Sequence, residues 1–108
     1  MADLKNTAER SSLSYGHITV FTDQTGAERV LYLGYTLLVS QSELSILKAL
    51  LLSLPRPLST AEIAEATGIS AGQISVLVNR LNRKAAVIGG RRLLYGTSHH
   101  GFRINEFM

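Results

Sequence analysis

Cysteine is missing from this 108-residue chain, which excludes disulfides and thiolate metal sites. Tryptophan is missing as well. Tyr15, Tyr32, Tyr35 and Tyr95 are scattered, so no row of aromatics recurs on one strand face as a stacking platform for single strands. Long apolar runs are also lacking. The stretch Ile46–Leu54 is broken by Lys48 and Ser53 and falls well short of the roughly 20 apolar residues that span a bilayer. The opening MADLKNTAERSS has no apolar centre and does not read as a secretion signal. No membrane association is expected, and the cytoplasm is the expected compartment. The last absence is of one charge sign: no Asp or Glu occurs between Ala66 and Asn105.

That gap shapes the charge distribution. Residues 1–70 carry five basic and seven acidic side chains, a net of −2, whereas residues 71–108 carry six basic side chains against Glu106, a net of +5. A mild total of +3 thus conceals a strongly cationic C-terminal third, as expected of a polyanion-facing side. The length suits one domain, and 45% hydrophobic residues suffice for a modest core.

Residues 1–14 are polar and aperiodic and read as a loose tail, with the domain spanning 15–108. Strand character follows at His17–Phe21, Glu28–Leu33 and Tyr35–Val39. Asp23-Gln24-Thr25-Gly26 and Gly34 supply the turns of an antiparallel meander. Three helix starts then share one arrangement: Ser40…Glu43, Ser59…Glu62 and Ser70…Gln73. In such a box the hydroxyl accepts from an unpaired backbone N–H while the Glu or Gln reaches back to the cap. The first helix is predicted over Gln41–Ser53, with Leu44, Leu47, Leu50, Leu51 and Leu54 inward and Pro55 and Pro57 ending it. The second is predicted over Thr60–Thr67, inward at Ile63 and Ala64, with Gly68 ending it in a left-handed conformation. Only Gly68-Ile69-Ser70 separates it from the third, a helix-turn-helix spacing.

In the third helix Ile74, Leu77, Val78, Leu81 and Ala85 form one stripe. Gly72, Val76, Asn79, Arg80 and Arg83 fall opposite it at about 100° per residue. Asn can pair with adenine, Arg with guanine, and Val can touch a thymine methyl. The helix is expected to give way at Ala86-Val87-Ile88, a short strand or linker, and at a Gly89-Gly90 turn. Arg91–Tyr95 and Gly101–Asn105 read as hairpin strands around a Gly96–His100 tip, with Phe102 and Ile104 inward. His99-His100 lacks a third ligand nearby, so no metal is expected, and no phosphate loop or catalytic serine pattern is legible. Neither a cofactor nor an enzymatic activity is expected.

Taken in order, Glu28–Ser40, Ser42–Leu51, Leu58–Ile63, Val76–Ala85 and Gly101-Phe102-Arg103 resemble the OmpR/PhoB-type winged-helix DNA-binding domain of bacterial response regulators, over roughly residues 28–105. The resemblance implies an α+β fold: an N-terminal four-stranded antiparallel sheet, a three-helix core and a C-terminal β-hairpin wing. It also implies a third helix in the major groove, a wing at a neighbouring minor groove, and head-to-tail binding to direct repeats. The tail is too short for the receiver domain that precedes such domains, so phosphorylation is not an expected input. The chain is either a stand-alone protein or a piece of a longer regulator. Thr97, Ser98, His99 and His100 stand at the tip where the family frequently has Arg, and Asn79 and Asn82 stand at positions that are often basic.

The expected function is sequence-specific binding of double-stranded DNA in transcription regulation. Gln73, Val76, Asn79, Arg80 and Arg83 are the candidates for base or groove contact. Lys84, Arg91, Arg92 and Arg103 are the candidates for phosphate, and Ser59, Thr60 and Ser70 for phosphate at helix N-termini. A second copy, head to tail on DNA, and RNA polymerase are further candidate partners. The alternative is a winged helix that docks on protein without touching DNA, to which the apolar Val76 and the modest net charge are suited.

Overall fold

Four antiparallel strands open the chain in the computed structural model, which describes residues 12–89, 93–97 and 101–104. They are β1 (Leu13–Tyr15), β2 (Ile18–Thr22), β3 (Glu28–Tyr32) and β4 (Tyr35–Thr36), side by side in chain order. Side chains alternate between the two faces of a strand. The register sets Ile18 opposite Tyr32 and Val20 opposite Val30, and all four are buried. The other face of the sheet is more open. β1 begins inside the segment expected to be tail, with Leu13 paired to Val20 and Ser14 to Thr19. β4 is shorter than expected. After Leu37 donates its N–H to the Val30 carbonyl (2.9 Å), the chain leaves the sheet for the first helix cap.

Two turns hold the meander. Asp23 accepts from the Thr25 N–H, the Thr25 hydroxyl, the Ala27 N–H and Arg29 Nε at 2.9, 2.6, 3.0 and 2.6 Å. The Thr25 and Arg29 hydrogen bonds keep its carboxyl far below the usual carboxylate range. In the β3–β4 turn Leu33 and Gly34 have φ of 54° and 83°, the pair of positive values that a two-residue type I′ hairpin needs. Leu33 takes this conformation against its own preference, held by an N–H bond to the His17 carbonyl (3.0 Å) and by packing on the core.

The helices are α1 (Gln41–Ser53), α2 (Thr60–Thr67) and α3 (Ala71–Gly89). The first two starts form the expected capping boxes, at Ser40 with Glu43 and at Ser59 with Glu62. Gly68 ends α2 at φ 76°, its N–H on the Ala64 carbonyl. At the third start the Gln73 N–H goes to the Ser70 carbonyl (3.0 Å) instead of its hydroxyl. α3 also corrects the expectation of a break at Ala86. It continues through Val87 and Ile88 to Gly89, because Leu81, Ala85 and the half-buried Ile88 extend one inward stripe at helical spacing.

The wing consists of β5 (Leu94–Thr97) and β6 (Gly101–Ile104), paired from Leu94↔Ile104 to Thr97↔Gly101. Gly96 and Thr97, expected at the tip, therefore belong to the ladder. Leu58, just before α2, bridges to Phe102 through bonds of 3.0 and 2.7 Å in the two directions, which sews the wing to the helical layer. The fit requires glycine at position 101. Its φ is 95°, and a Cβ there would collide with the Leu58 carbonyl. One core joins the layers: Ile18, Val30 and Tyr32 from the sheet, Leu47 and Leu50 from α1, Ile63 from α2, Ile74, Leu81 and Ala85 from α3, and Leu93, Leu94 and Ile104 from the wing.

Candidate nucleic-acid interface

α3 is amphipathic, and its five predicted inward residues are all buried. Burial of that stripe forces the opposite face outward, and Gln73, Val76, Asn79, Arg80 and Arg83 are all exposed. Val76 retains 50% of its surface. From Gln73 to Arg83 this face runs about 15 Å at ~1.5 Å per residue, close to four base-pair steps of ~3.4 Å. The helix stands as a ridge between two surface depressions. One is lined by Ser40, Ser42, Gln73, Val76, Leu77 and Arg80, the other by Asn79, Asn82, Arg83 and Ala86.

Charge is uncompensated on this ridge. Ion pairs join Arg29 to Asp23, Lys48 to Glu28, Arg56 to Glu62 and Lys84 to Glu43, at 2.6–2.8 Å. Four of the five carboxylates in the described residues are thereby used, whereas Arg80 and Arg83 have no ion-pair partner among the described residues. Lys84 differs from its neighbours. Its ammonium lies 2.6 Å from Glu43 Oε1, so its charge is set against a buried carboxylate. Burial raises the Glu43 pKa, but the bonds from Lys84 and the Ser40 N–H outweigh this and hold it below its ordinary value.

The remaining predicted residues that are described lie at the start of α2, just before α3 and on β6. Ser59 and Thr60 are half-buried at the start of α2, with the Ser59 hydroxyl accepting from the Glu62 N–H at 3.1 Å. Ser70 is exposed just before α3. Arg103 is half-buried on β6, opposite Tyr95. Arg91, Arg92, His99 and His100 lie outside the described residues. Sequence reasoning missed Asn82. Its Oδ1 accepts the Leu94 N–H at 2.7 Å, tying the first wing strand to the side of α3. Its position on the boundary between the buried and exposed faces was the available signal. Glu43 was read only as a cap, and its second role across 41 residues leaves no local trace.

A solved structure of a RitR mutant superposes with a TM-score of 0.70 at 15% identity, over 87% of this chain and 43% of that one. The response regulator AdeR DNA binding domain, in complex with an intercistronic region, superposes with a TM-score of 0.68 at 17% identity, over 85% of this chain and 96% of that one. The fold is that of a response-regulator DNA-binding domain. This winged-helix fold accounts for the order of sheet, three helices and wing. The chain spans less than half of the RitR chain and matches the AdeR domain nearly end to end. The likeness is one of structure: no family model and no curated protein sequence matches the chain. No helix among the described residues is long and apolar enough to cross a membrane.

Proposed function

We propose that this chain binds double-stranded DNA in a sequence-specific manner and regulates transcription, with α3 in the major groove and the wing beside it. The observation that carries the reading is the outer face of α3: five exposed residues able to read base edges, with two arginines lacking an ion-pair partner among the described residues. Arg80 and Arg83 are assigned to guanine or the adjacent backbone, Asn79 and Gln73 to adenine, and Val76 to a thymine methyl. Ser59, Thr60, Ser70, Arg91, Arg92 and Arg103 are assigned to phosphates, which position the protein without reading sequence. A second copy on a direct repeat and RNA polymerase are the proposed macromolecular partners, in the cytoplasm.

One observation favours a second reading. Val87, 87% exposed, falls within about 20° of Val76 around the helix, so the face also carries two exposed apolar residues suited to a protein partner. Salt separates the two. Labelled random-sequence duplex, titrated at low and moderate ionic strength, is expected to bind at micromolar affinity and to weaken steeply with salt. Absence of binding at low salt overturns the DNA reading in favour of protein docking.

A further inference from the structure

Lys84 follows Arg80 by one helical turn and adjoins Arg83 in sequence, so by position it belongs to the cationic flank of α3. Its side chain is 39% exposed and is directed at Glu43, whose side chain is only 2% exposed. Glu43 Oε1 accepts both the Lys84 ammonium (2.6 Å) and the Ser40 N–H (2.7 Å). Glu43 Oε2 is buried with no hydrogen-bond partner. This carboxylate therefore depends on Lys84 for its compensation. Moving the ammonium to a phosphate would leave a buried charge unpaired, which is strongly unfavourable. The Lys48–Glu28 pair is different: both partners are more than one-third exposed, and water can replace either one.

We infer that Glu43 is a positioning and specificity-determining residue of the DNA face, which withholds Lys84 from the phosphate backbone. The inference rests on the DNA reading above. Each phosphate contact strengthens binding to every sequence alike and adds about 0.9 to the slope of log affinity against log salt. Holding one cation back lowers the affinity for random DNA and leaves the base-reading residues Asn79 and Arg80 untouched. The ratio of specific to nonspecific binding rises as a result.

The test is the salt dependence of binding to random duplex, and to a site selected from a random pool, for the wild-type chain and for Glu43→Gln, Lys84→Gln and Arg83→Gln. Arg83→Gln calibrates the loss of one contact, about 0.9 in slope. Lys84→Gln is expected to keep the wild-type slope. Glu43→Gln is expected to steepen it by about 0.9, so that its affinity falls about three- to fourfold further than wild type between 50 and 200 mM salt, and to narrow the gap between selected and random DNA. A Lys84→Gln slope as shallow as that of Arg83→Gln overturns the inference, as does an unchanged slope in folded Glu43→Gln. Folding of each variant is checked by circular dichroism: where Lys84→Gln does not fold, the double variant Glu43→Gln/Lys84→Gln takes its place, and where Glu43→Gln does not fold, the Lys84→Gln slope decides, an unchanged slope supporting the inference and a shallower one overturning it. A wild-type chain with no salt-dependent binding instead overturns the DNA reading itself.

Discussion

The Asn82 side-chain oxygen accepts the backbone N–H of Leu94 at 2.7 Å, so the proposed recognition helix and the first wing strand are joined by a direct bond. Leu94 is fully buried, and its amide has little access to water as a substitute. Asn82→Ala is expected to destabilise the fold by about 1–3 kcal/mol, the cost of a buried donor left unsatisfied. Urea denaturation measures this. A loss under about 0.5 kcal/mol, the range of ordinary surface substitutions, would contradict the role.

Gly101 is the tightest point of the wing. Any Cβ there meets the Leu58 carbonyl at a φ of 95°, so Gly101→Ala combines a clash with backbone strain. A loss of at least about 2 kcal/mol is expected. Faster hydrogen exchange at the Leu58 and Phe102 amides, the two donors of the bridge, would locate the damage.

Two glycines of α3 are expected to respond oppositely to alanine. At Gly72 an added Cβ meets nothing within 4 Å, so Gly72→Ala is expected to stabilise the helix by up to about 1 kcal/mol. At Gly89 the Cβ would lie 2.5 Å from Leu33 Cδ1 and 3.0 Å from the Tyr32 hydroxyl. Crowding there is expected to outweigh the propensity gain and lower the melting temperature. Parallel thermal melts of the two variants check both signs.

Arg80→Ala is expected to cost roughly 1–3 kcal/mol at the selected site and to relax the preference at one base position. Binding-site selection with the variant reads this directly. A loss shared equally by all sequences would reassign Arg80 to the phosphate backbone.

Acid should destabilise the chain. Asp23, Glu43 and Glu62 all have carboxyls held below their ordinary values, 3.8 for Asp23 and 4.5 for the two glutamates. The folded state therefore binds protons less readily than the unfolded state. The stability these groups contribute is complete above their ordinary values and is lost as pH falls through and below them. Urea midpoints are expected to be flat from pH 7 to about 5 and to drop below about 4.5. Asp23→Asn should flatten part of that drop.

Much of this architecture is legible in the sequence, for local reasons. The Ser40 and Ser59 boxes, Gly68 and the Ile74-to-Ala85 stripe are encoded within a few residues of where they act, and α1 and α2 begin and end where those signals lie. The far end of α3 is not legible in this way. Ala86-Val87-Ile88 suits a strand as well as a helix, and burial beside Leu81 and Ala85 decides it. β1 is short and serine-containing, and exists through its pairing with β2. At the site, the exposed face of α3 follows from periodicity, whereas the roles of Lys84 and Asn82 depend on partners far along the chain.

α3 is fixed on three sides of its C-terminal half: to the wing through Asn82, to the start of α1 through Lys84, and against Tyr32 and Leu33 at Gly89. A rod secured in this way can neither roll about its own axis nor swing at its end. The angular spread of Asn79, Arg80 and Arg83 is therefore narrowed when the chain folds, before any ligand arrives. Little orientational entropy of the helix remains to be lost on contact, so the backbone of α3 is expected to be as well ordered free as bound.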